Sequence, residues 1–445
     1  MSPSVNRRHF LQSSAVLGAG VWLGTTTQSK AALANDKLNL AVIGLSNQGG
    51  VNLAAVSGVD RKTGMKKGEG ENIVAVCDVD DVHAGTAFEQ HSKAKKFYDF
   101  RQMFDEMHKS IDAVVISTPD HTHFHPSRMA MNLGKHVYLE KPMAHSVWEV
   151  RELTKLAAEK KVATQLGVQR HTLESIHQSV EYIRAGAIGN VKEVHAWIGS
   201  SRGMFPTPEK FPETPDTIKW DLWLGPAAVT KYTPDICPYK WRFYWDYGTG
   251  EAGNWGCHIL DIAYWALNLK YPTKVAIENP NPDPVRTPTA FHSTFDFPAV
   301  GNRPALKLHW YQGKPAILDQ LGVKPGPGVN TLFIGEKGML TSGFDTKGVK
   351  LLTSDGKEEL TFKLPSPTIE KSPGFHKEWI AACHGGKPAT CDFAYSGPMT
   401  ETVLLANAAF RSKGGFDWDA ANQKATGNSA VDQYLVPKFR KGWEV

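Results

Sequence analysis

At 445 residues the chain is too long for one ordinary hydrophobic core, so two domains are the default organisation. Hydrophobic residues at 41% and charged residues at 21% exclude a disordered or fibrous chain. The net charge of +5 is small for this length, and no basic stripe or binding motif accompanies it, which argues against nucleic acid as a partner.

Asn6-Arg7-Arg8-His9-Phe10-Leu11 places a twin arginine ahead of Phe-Leu. An apolar run from Ala15 to Gly24 follows, and then Ala32-Leu33-Ala34, an A-x-A cleavage signature. In that order they read as a twin-arginine signal peptide over residues 1–34. The apolar run is far short of the about 20 residues that a membrane-spanning helix needs, and no later segment reaches that length. The expectation is a mature chain that starts near Asn35 and is exported folded, to the periplasm or another extracytoplasmic space, without membrane insertion. The route carries proteins already folded, often with a cofactor loaded, and so hints at a bound cofactor.

Leu38 to Ile43 is a short apolar run, as expected of a strand buried on both faces. It ends in Gly44-Leu45-Ser46-Asn47-Gln48-Gly49-Gly50, and a helical pattern follows. Gly44, Ser46, Asn47, Gln48 and Gly49 thus form a turn whose amides, at a helix N-terminus, suit a pyrophosphate. Ser46 stands where G-x-G-x-x-G has its second glycine, and is small enough for close approach. The next strand, Ile73 to Cys77, ends in Asp78, placed to accept hydrogen bonds from ribose hydroxyls and to favour NAD over NADP. A polar, Gly-rich insertion from Arg61 to Glu71 lengthens the gap between turn and acid, and its lysines keep NADP open.

A helix is expected over Phe100 to Met107 and a strand over Ile111 to Ile116, ending in Ser117-Thr118-Pro119-Asp120-His121-Thr122-His123. Then come a helix (Pro126 to Leu133), a strand (His136 to Leu139), Glu140-Lys141-Pro142, and a long helix from Val147 to Lys160. Alternating strands and helices give an α/β fold with a parallel, doubly wound sheet. Gly44, Asp78, Thr118 and Lys141 all fall at carboxyl ends of strands, where such sheets bind ligands. The histidines at 121, 123 and 125 invite a metal reading, but no series of later ligands supports it, and no metal is expected.

From about Thr164 the pattern changes. Strand-like alternation at Val191 to Ile198, Ala290 to Phe297, Leu306 to Trp310 and Thr331 to Ile334 points to a largely antiparallel open sheet with helices on one face. The expected domains are residues 35–163, dinucleotide-binding, and 164–445, α+β. Trp241-Arg242-Phe243-Tyr244-Trp245-Asp246 suits a carbohydrate, with aromatic faces against C–H groups and Arg242 and Asp246 on hydroxyls; core packing is an equal reading for most of them, and Arg242 is the strongest candidate. The five cysteines form no CxxC pair; five free thiols is the simpler reading, with a Cys383–Cys391 pairing left open.

The ordered set AVIGLSNQG, VCDVD, DFRQMF, STPDHTH, LEKPM, QLGVQR, GAIGNV and GEAGNWGCHILD resembles the Gfo/Idh/MocA oxidoreductases (glucose-fructose oxidoreductase, inositol dehydrogenase, rhizopine catabolism). The resemblance implies a Rossmann domain that binds NAD(P), with Ser117, Thr118, Pro119, Asp120, His123 and Glu140 beside Lys141 on the nicotinamide side. It implies that Lys141 is a proton-transfer residue. The family's D-x-x-x-H signature reads here as Asn254 and His258, so His258 inherits more of the acid/base role. Asp261 is expected either to orient that imidazole or to serve a helix cap or salt bridge. Asn254, Asp261, Arg242, Gln169 and Arg170 are the expected substrate-binding residues. The second sheet would carry the substrate site and homo-oligomer contacts. The implied function is hydride exchange between NAD(P) and a sugar or polyol hydroxyl, with a tightly held, internally recycled cofactor. The alternatives are an NAD-dependent glycosidase that works through transient C3 oxidation and elimination, and a non-catalytic cofactor sensor.

Overall fold

Six short runs build the first sheet: β1 (Asn39–Ile43), β2 (Asn72–Cys77), β3 (Lys95–Phe97), β4 (Ala113–Ile116), β5 (His136–Leu139) and β6 (Thr164–Leu166). In the computed structural model, which describes residues 37–359 and 361–445, they pair in parallel in the order β3-β2-β1-β4-β5-β6. The twin-arginine segment and the A-x-A signature lie outside the described residues. The central strands are covered on both faces, so their sequences are continuous apolar runs; β4, Ala-Val-Val-Ile, is buried throughout.

The connecting helices are α1 (Gln48–Ser57), α2 (Asp81–Gln90), α3 (Phe100–Met107), α4 (Phe124–Asn132) and α5 (Val147–Lys160). Local chemistry sets several starts. Asp80 and Asp99 accept amide hydrogens at the head of α2 and α3, and Ser146 and Glu149 form a capping box on α5. The α2–β3 unit escaped the sequence reading because Asp81–Gln90 buries only two alanines and shows no apolar stripe. The expected domain boundary at 163/164 falls just ahead of one more strand of the first sheet. Thr164–Leu166 completes the first sheet beside β5, with Thr164 opposite Val137; a three-residue edge strand has no periodicity to detect.

The second sheet contains β7 (Val191–Ile198), β8 (Lys274–Ile277), β9 (Phe291–Phe297), β10 (Leu306–Gln312), β11 (Val329–Gly335), β12 (Met339–Gly343), β13 (Lys350–Leu352), β14 (Phe416–Asp419) and β15 (Lys424–Thr426). Their order is β13-β12-β11-β7-β10-β9-β8-β14-β15. All pairs are antiparallel except β7–β10. Period-two alternation divides the faces: Leu306, Leu308 and Trp310 of β10 join the main core, and Lys307, His309 and Tyr311 take the opposite face.

Four further helices pack with these sheets: α6 (Glu174–Arg184), α7 (Cys257–Leu267), α8 (Phe375–Cys383) and α9 (Phe393–Arg411). The helix α9, buried along almost its whole length, packs on α5, α7 and β8 and so ties the two sheets together. A buried ion pair fastens it. Arg151 Nη2 donates to Glu401 Oε1 at 2.8 Å, and Trp418 Nε1 donates to the same oxygen at 2.9 Å. All five cysteines are free thiols, and no helix among the described residues is long and apolar enough to cross a membrane.

Candidate active site

The carboxyl ends of β1, β2, β4 and β5 open on one cleft of about 430 Å³. The first domain contributes Gly44, Ser46, Asn47, Gln48, Asp78, Ser117, Thr118, Pro119, Asp120, Glu140 and Lys141 to its walls. Gln169, Arg170, Arg242, Asn254 and His258 come from the chain beyond. Gly49, His123 and Asp261 do not line it.

The floor is a tight turn. Gly44 has φ +82°, and a Cβ there would lie 2.6 Å from the Ser117 carbonyl oxygen. A Cβ on Gly49 would lie 2.1 Å from the Gly44 carbonyl oxygen, so Gly49 sits behind the turn and lets α1 approach β1. No side chain caps α1, and its first turn holds no acid. Its amide end is therefore left for an anion at the cleft. Asp78 Oδ2 accepts the Leu45 amide at 2.8 Å and fastens the turn to the end of β2. Burial pushes the Asp78 carboxyl up to about 6. A glycine cradle, an open helix end and an acid at the next strand end together fit a dinucleotide. In the insertion, Lys66 and Lys67 pair with Glu69 and Asp60 rather than with the turn.

Glu140 is a buried hub. Its Oε1 accepts from Asn52 Nδ2 at 2.9 Å and Gln169 Nε2 at 2.6 Å, and Asn52 also donates to Ser117 Oγ at 3.0 Å. Gln169 Nε2 also lies 2.9 Å from the Tyr138 hydroxyl. Gln169, expected on the substrate, lines the cleft with its amide nitrogen engaged at the β5 end.

Lys141 Nζ donates to the backbone oxygen and to Oδ1 of Asn254, both at 2.9 Å. Burial, and then the charge of Arg242, lower its pKa from 10.5 to about 8, against the pull of Glu140 and Asp120. Asn254 Nδ2 donates to Glu251 Oε2 at 2.9 Å. Glu251 is buried and ion-paired with Arg202, whose Nη2 lies 3.1 Å from Oε2. The asparagine therefore has a structural reason. An amide can accept from the lysine on one side and donate to the glutamate on the other, whereas an aspartate would set two carboxylates against each other. Asn254 was expected on a sugar hydroxyl; its amide is engaged within the protein.

His258 lies one residue into α7, after a wide π-type turn over Ala252–Gly256, a distortion that often marks functional sites. Its Nδ1 is buried with no partner among the described residues. Burial, then Lys141 and Arg170, hold the imidazole well below the ordinary histidine range. The imidazole is thus neutral at neutral pH, while the Lys141 amine stands nearer its own titration range.

Of its two expected roles, Asp261 takes the salt-bridge one, with His171, and does not orient His258. Its carboxylate accepts from His171 Nδ1 at 2.9 Å and from the Tyr395 hydroxyl at 2.7 Å. His123 lies behind the cleft, its Nδ1 2.7 Å from the Pro142 carbonyl oxygen and its Nε2 2.8 Å from that of Thr118. It braces the two strand-end loops. His121 and His125 rest on other carbonyls, those of Trp223 and Trp443, so the three histidines share no ligand point. Asp120 accepts from Thr249 Oγ1 at 2.6 Å and from Arg242 Nη1 at 3.2 Å. Burial would raise its carboxyl, but Arg242, His123, Thr249 and Lys141 outweigh it and hold it low.

Of the aromatic segment, Trp241 and Arg242 line the cleft; Phe243, Tyr244 and Trp245 are buried, and Asp246 is exposed and outside it. Arg170 lies 4.3 Å from the Phe344 ring centroid and 5.2 Å from that of Trp255, with no ion pair among the described residues. Sequence reasoning missed Asn52 and Glu251. The signals were a polar residue on the buried face of α1 and a glutamate beside Asn254 in GEAGN.

The profile of an oxidoreductase family with an NAD-binding Rossmann fold matches residues 38–168, and that of the family's C-terminal alpha/beta domain matches residues 195–296. Inositol 2-dehydrogenase of Salmonella paratyphi B is 27% identical over 175 residues, 37% of this chain and 51% of that protein. A glycosyl hydrolase family 109 protein of Solibacter usitatus is 28% identical over 209 residues, 42% of this chain and 44% of that protein. The chain thus spans about half the length, or less, of these curated relatives. Among solved structures, the WlbA dehydrogenase of Bordetella pertussis, in complex with NADH and UDP-GlcNAcA, superposes with a TM-score of 0.60 at 16% identity. That match covers 86% of this chain and 99% of the other, and shows the fold alone. With both profiles matched, on a parallel Rossmann sheet and a mostly antiparallel second sheet, the chain belongs to the Gfo/Idh/MocA family of NAD-binding oxidoreductases.

Proposed function

We propose that this protein oxidises a secondary hydroxyl of a sugar or polyol, with NAD held tightly and regenerated within each catalytic cycle. The observation that carries the reading is Lys141: an amine with a pKa lowered to about 8, in the wall of a cleft that also holds His258 and the glycine turn. A nicotinamide dinucleotide bound on that turn supplies a hydride acceptor. Lys141 Nζ, when neutral, takes the hydroxyl proton. Neutral His258 hydrogen-bonds the same hydroxyl region, while Trp241 and Trp255 offer apolar faces to ring C–H groups. Arg170, with no carboxylate partner among the described residues, is a cation of the cleft available to a substrate oxygen.

Retention of the cofactor fits the twin-arginine signal, since an extracytoplasmic space offers no dependable NAD pool. We place the protein there, as a homo-oligomer through the second sheet. A second reading, a glycosidase that oxidises C3 transiently and then eliminates the aglycone, is favoured by the family 109 relative. One experiment tests both. The purified protein is denatured, any released nucleotide is identified, and the native protein is then offered sugars and aryl glycosides with and without added NAD. Keto-sugar formed against a second sugar supports the first reading; free aglycone without net NADH supports the second. Absence of both bound and bindable nucleotide sinks the proposal.

The pH dependence of binding gives a second check. The Asp78 carboxyl titrates near 6 in the nucleotide-free protein, and ribose hydroxyls donating to it favour its ionised form. Nucleotide binding therefore lowers that value. Affinity is complete above about pH 6 and falls as the pH drops through it, by at most about tenfold per pH unit. Calorimetric titration of nucleotide-free protein from about pH 5 to about pH 8 should show this slope, and Asp78→Asn should flatten it. A slope that persists in the variant assigns the effect to another group.

A further inference from the structure

The outer face of the second sheet carries a cluster that the proposed reaction does not use. His195 on β7 stands directly beside His309 on β10, their rings stacked with centroids 4.4 Å apart. Around them lie Glu193, Tyr311, His292, Thr294 and, at the end of β8, Glu278. A run of hydrogen bonds fixes which ring nitrogens carry protons. Glu278 Oε1 lies 3.0 Å from His292 Nδ1, and an ionised carboxylate only accepts, so that nitrogen carries the hydrogen. His292 Nε2, bare, lies 3.0 Å from His309 Nδ1 and accepts from it. The consequence falls on His309 Nε2. It is a bare lone pair, buried, with no hydrogen-bond partner among the described residues, and 4.0 Å from Glu193 Oε2.

His195 is held at both nitrogens. Its Nδ1 is 3.0 Å from the Tyr311 hydroxyl and its Nε2 is 3.2 Å from the same Glu193 oxygen. By the same rule Glu193 draws the hydrogen of His195 to Nε2, and Nδ1 accepts from the Tyr311 hydroxyl; an ion at Nε2 would displace that hydrogen, and Nδ1–H would then be donated to Tyr311. The three donor atoms lie within 4.8 Å of one another. Donors about 2.0–2.1 Å from a tetrahedral zinc would be about 3.4 Å apart; the Glu193 oxygen already stands 3.2 and 4.0 Å from the two nitrogens, and closure asks the stacked rings to tilt toward one point. Glu193, 45% exposed, is free to move and leaves one side open to water. Lys307, two residues before His309 on β10, faces Asp296 at 3.7 Å.

We propose that Glu193, His195 and His309 form a zinc site, with water as the fourth ligand and with Tyr311 and the Glu278–His292 relay fixing the two imidazoles from behind. A carboxylate or other acceptor on the far nitrogen is the usual support of a ligating histidine. The ligands come from two strands more than a hundred residues apart, so no sequence spacing announces them.

Purified protein is stripped with EDTA, dialysed and titrated with zinc chloride, and bound metal is counted by plasma mass spectrometry after gel filtration. One saturable equivalent is expected in the wild type and none at this site in His309→Asn. Zinc held elsewhere, for instance at His171, Asp261 and Cys391, persists in that variant and is subtracted by the comparison. Glu278→Gln, which leaves all three ligands in place, should weaken binding by roughly 10–100-fold. Cobalt should give the intense visible bands of a four-coordinate site in the wild type and not in His309→Asn, with melting curves confirming that both variants fold. No saturable equivalent in the wild type, or one retained unchanged by His309→Asn, overturns the proposal.

Discussion

Lys141→Met should lower kcat/KM for alcohol oxidation by roughly 10²–10⁴-fold while the protein keeps its nucleotide, the span that removal of a positioned general base usually costs. Methionine matches the length and apolar stem of the lysine, so the buried wall between Lys141 and Asn254 should stay filled. What is lost is the amine. In the wild type, the oxidation rate should rise with pH and level off near pH 8, because only neutral Nζ can take the proton and the pKa is lowered from 10.5 to about 8. An unperturbed lysine would put that limb more than two pH units higher. Stopped-flow measurement of nicotinamide reduction with a saturating sugar reads the limb directly. If the variant keeps its rate within a few-fold, the proton goes elsewhere and His258 becomes the acceptor. If the rate falls but nucleotide is also lost, the defect is in binding and the catalytic assignment fails.

The second large effect is expected at the glycine turn. Gly49→Ala adds a Cβ 2.1 Å from the Gly44 carbonyl oxygen and 2.8 Å from its carbon, both backbone atoms. Neither can swing aside as a side-chain tip would, so α1 must retreat from β1. Overpacking of this kind costs about 1–3 kcal/mol, occasionally more. It should also displace the amide end that faces the cleft, so retained nucleotide should fall well below one per chain. Gly85→Ala is the matched control. It lies inside α2 with nothing within 4 Å of its added Cβ. There the substitution should stabilise by up to about 1 kcal/mol, through helix propensity alone. Thermal melting and nucleotide content measured side by side separate the outcomes. A Gly49→Ala protein that melts like the wild type and carries its nucleotide would show that the turn has slack the geometry does not reveal.

Much of the first domain was legible because its signals are local. An apolar run, a glycine turn and an acid at a strand end each occupy a few consecutive residues, and strand ends collect on one edge of a parallel sheet by topology. That reasoning placed Gly44, Asp78, Thr118 and Lys141 in the wall of one cleft, where all four lie. The same reasoning failed where function depended on a partner distant in sequence. Asp261, three residues past His258, does share its helix, but His171 comes from another segment and takes the carboxylate. His123 looked like a cleft residue because its loop is one, yet its ring turns inward onto two carbonyls.

The sequence by itself determined most of the strand–helix alternation of the first domain, the dinucleotide turn and the family. Periodicity, glycine placement and strand-end chemistry are properties of short stretches, and short stretches fold by their own rules. Only the tertiary structure decided what each polar group does. Asn254 became the bridge between Lys141, 113 residues away, and Glu251. Asp261 became the partner of His171, and His195 and His309 met across two strands. A buried polar atom must find a complementary partner wherever the fold brings one near, and the chain's own spacing does not encode that meeting.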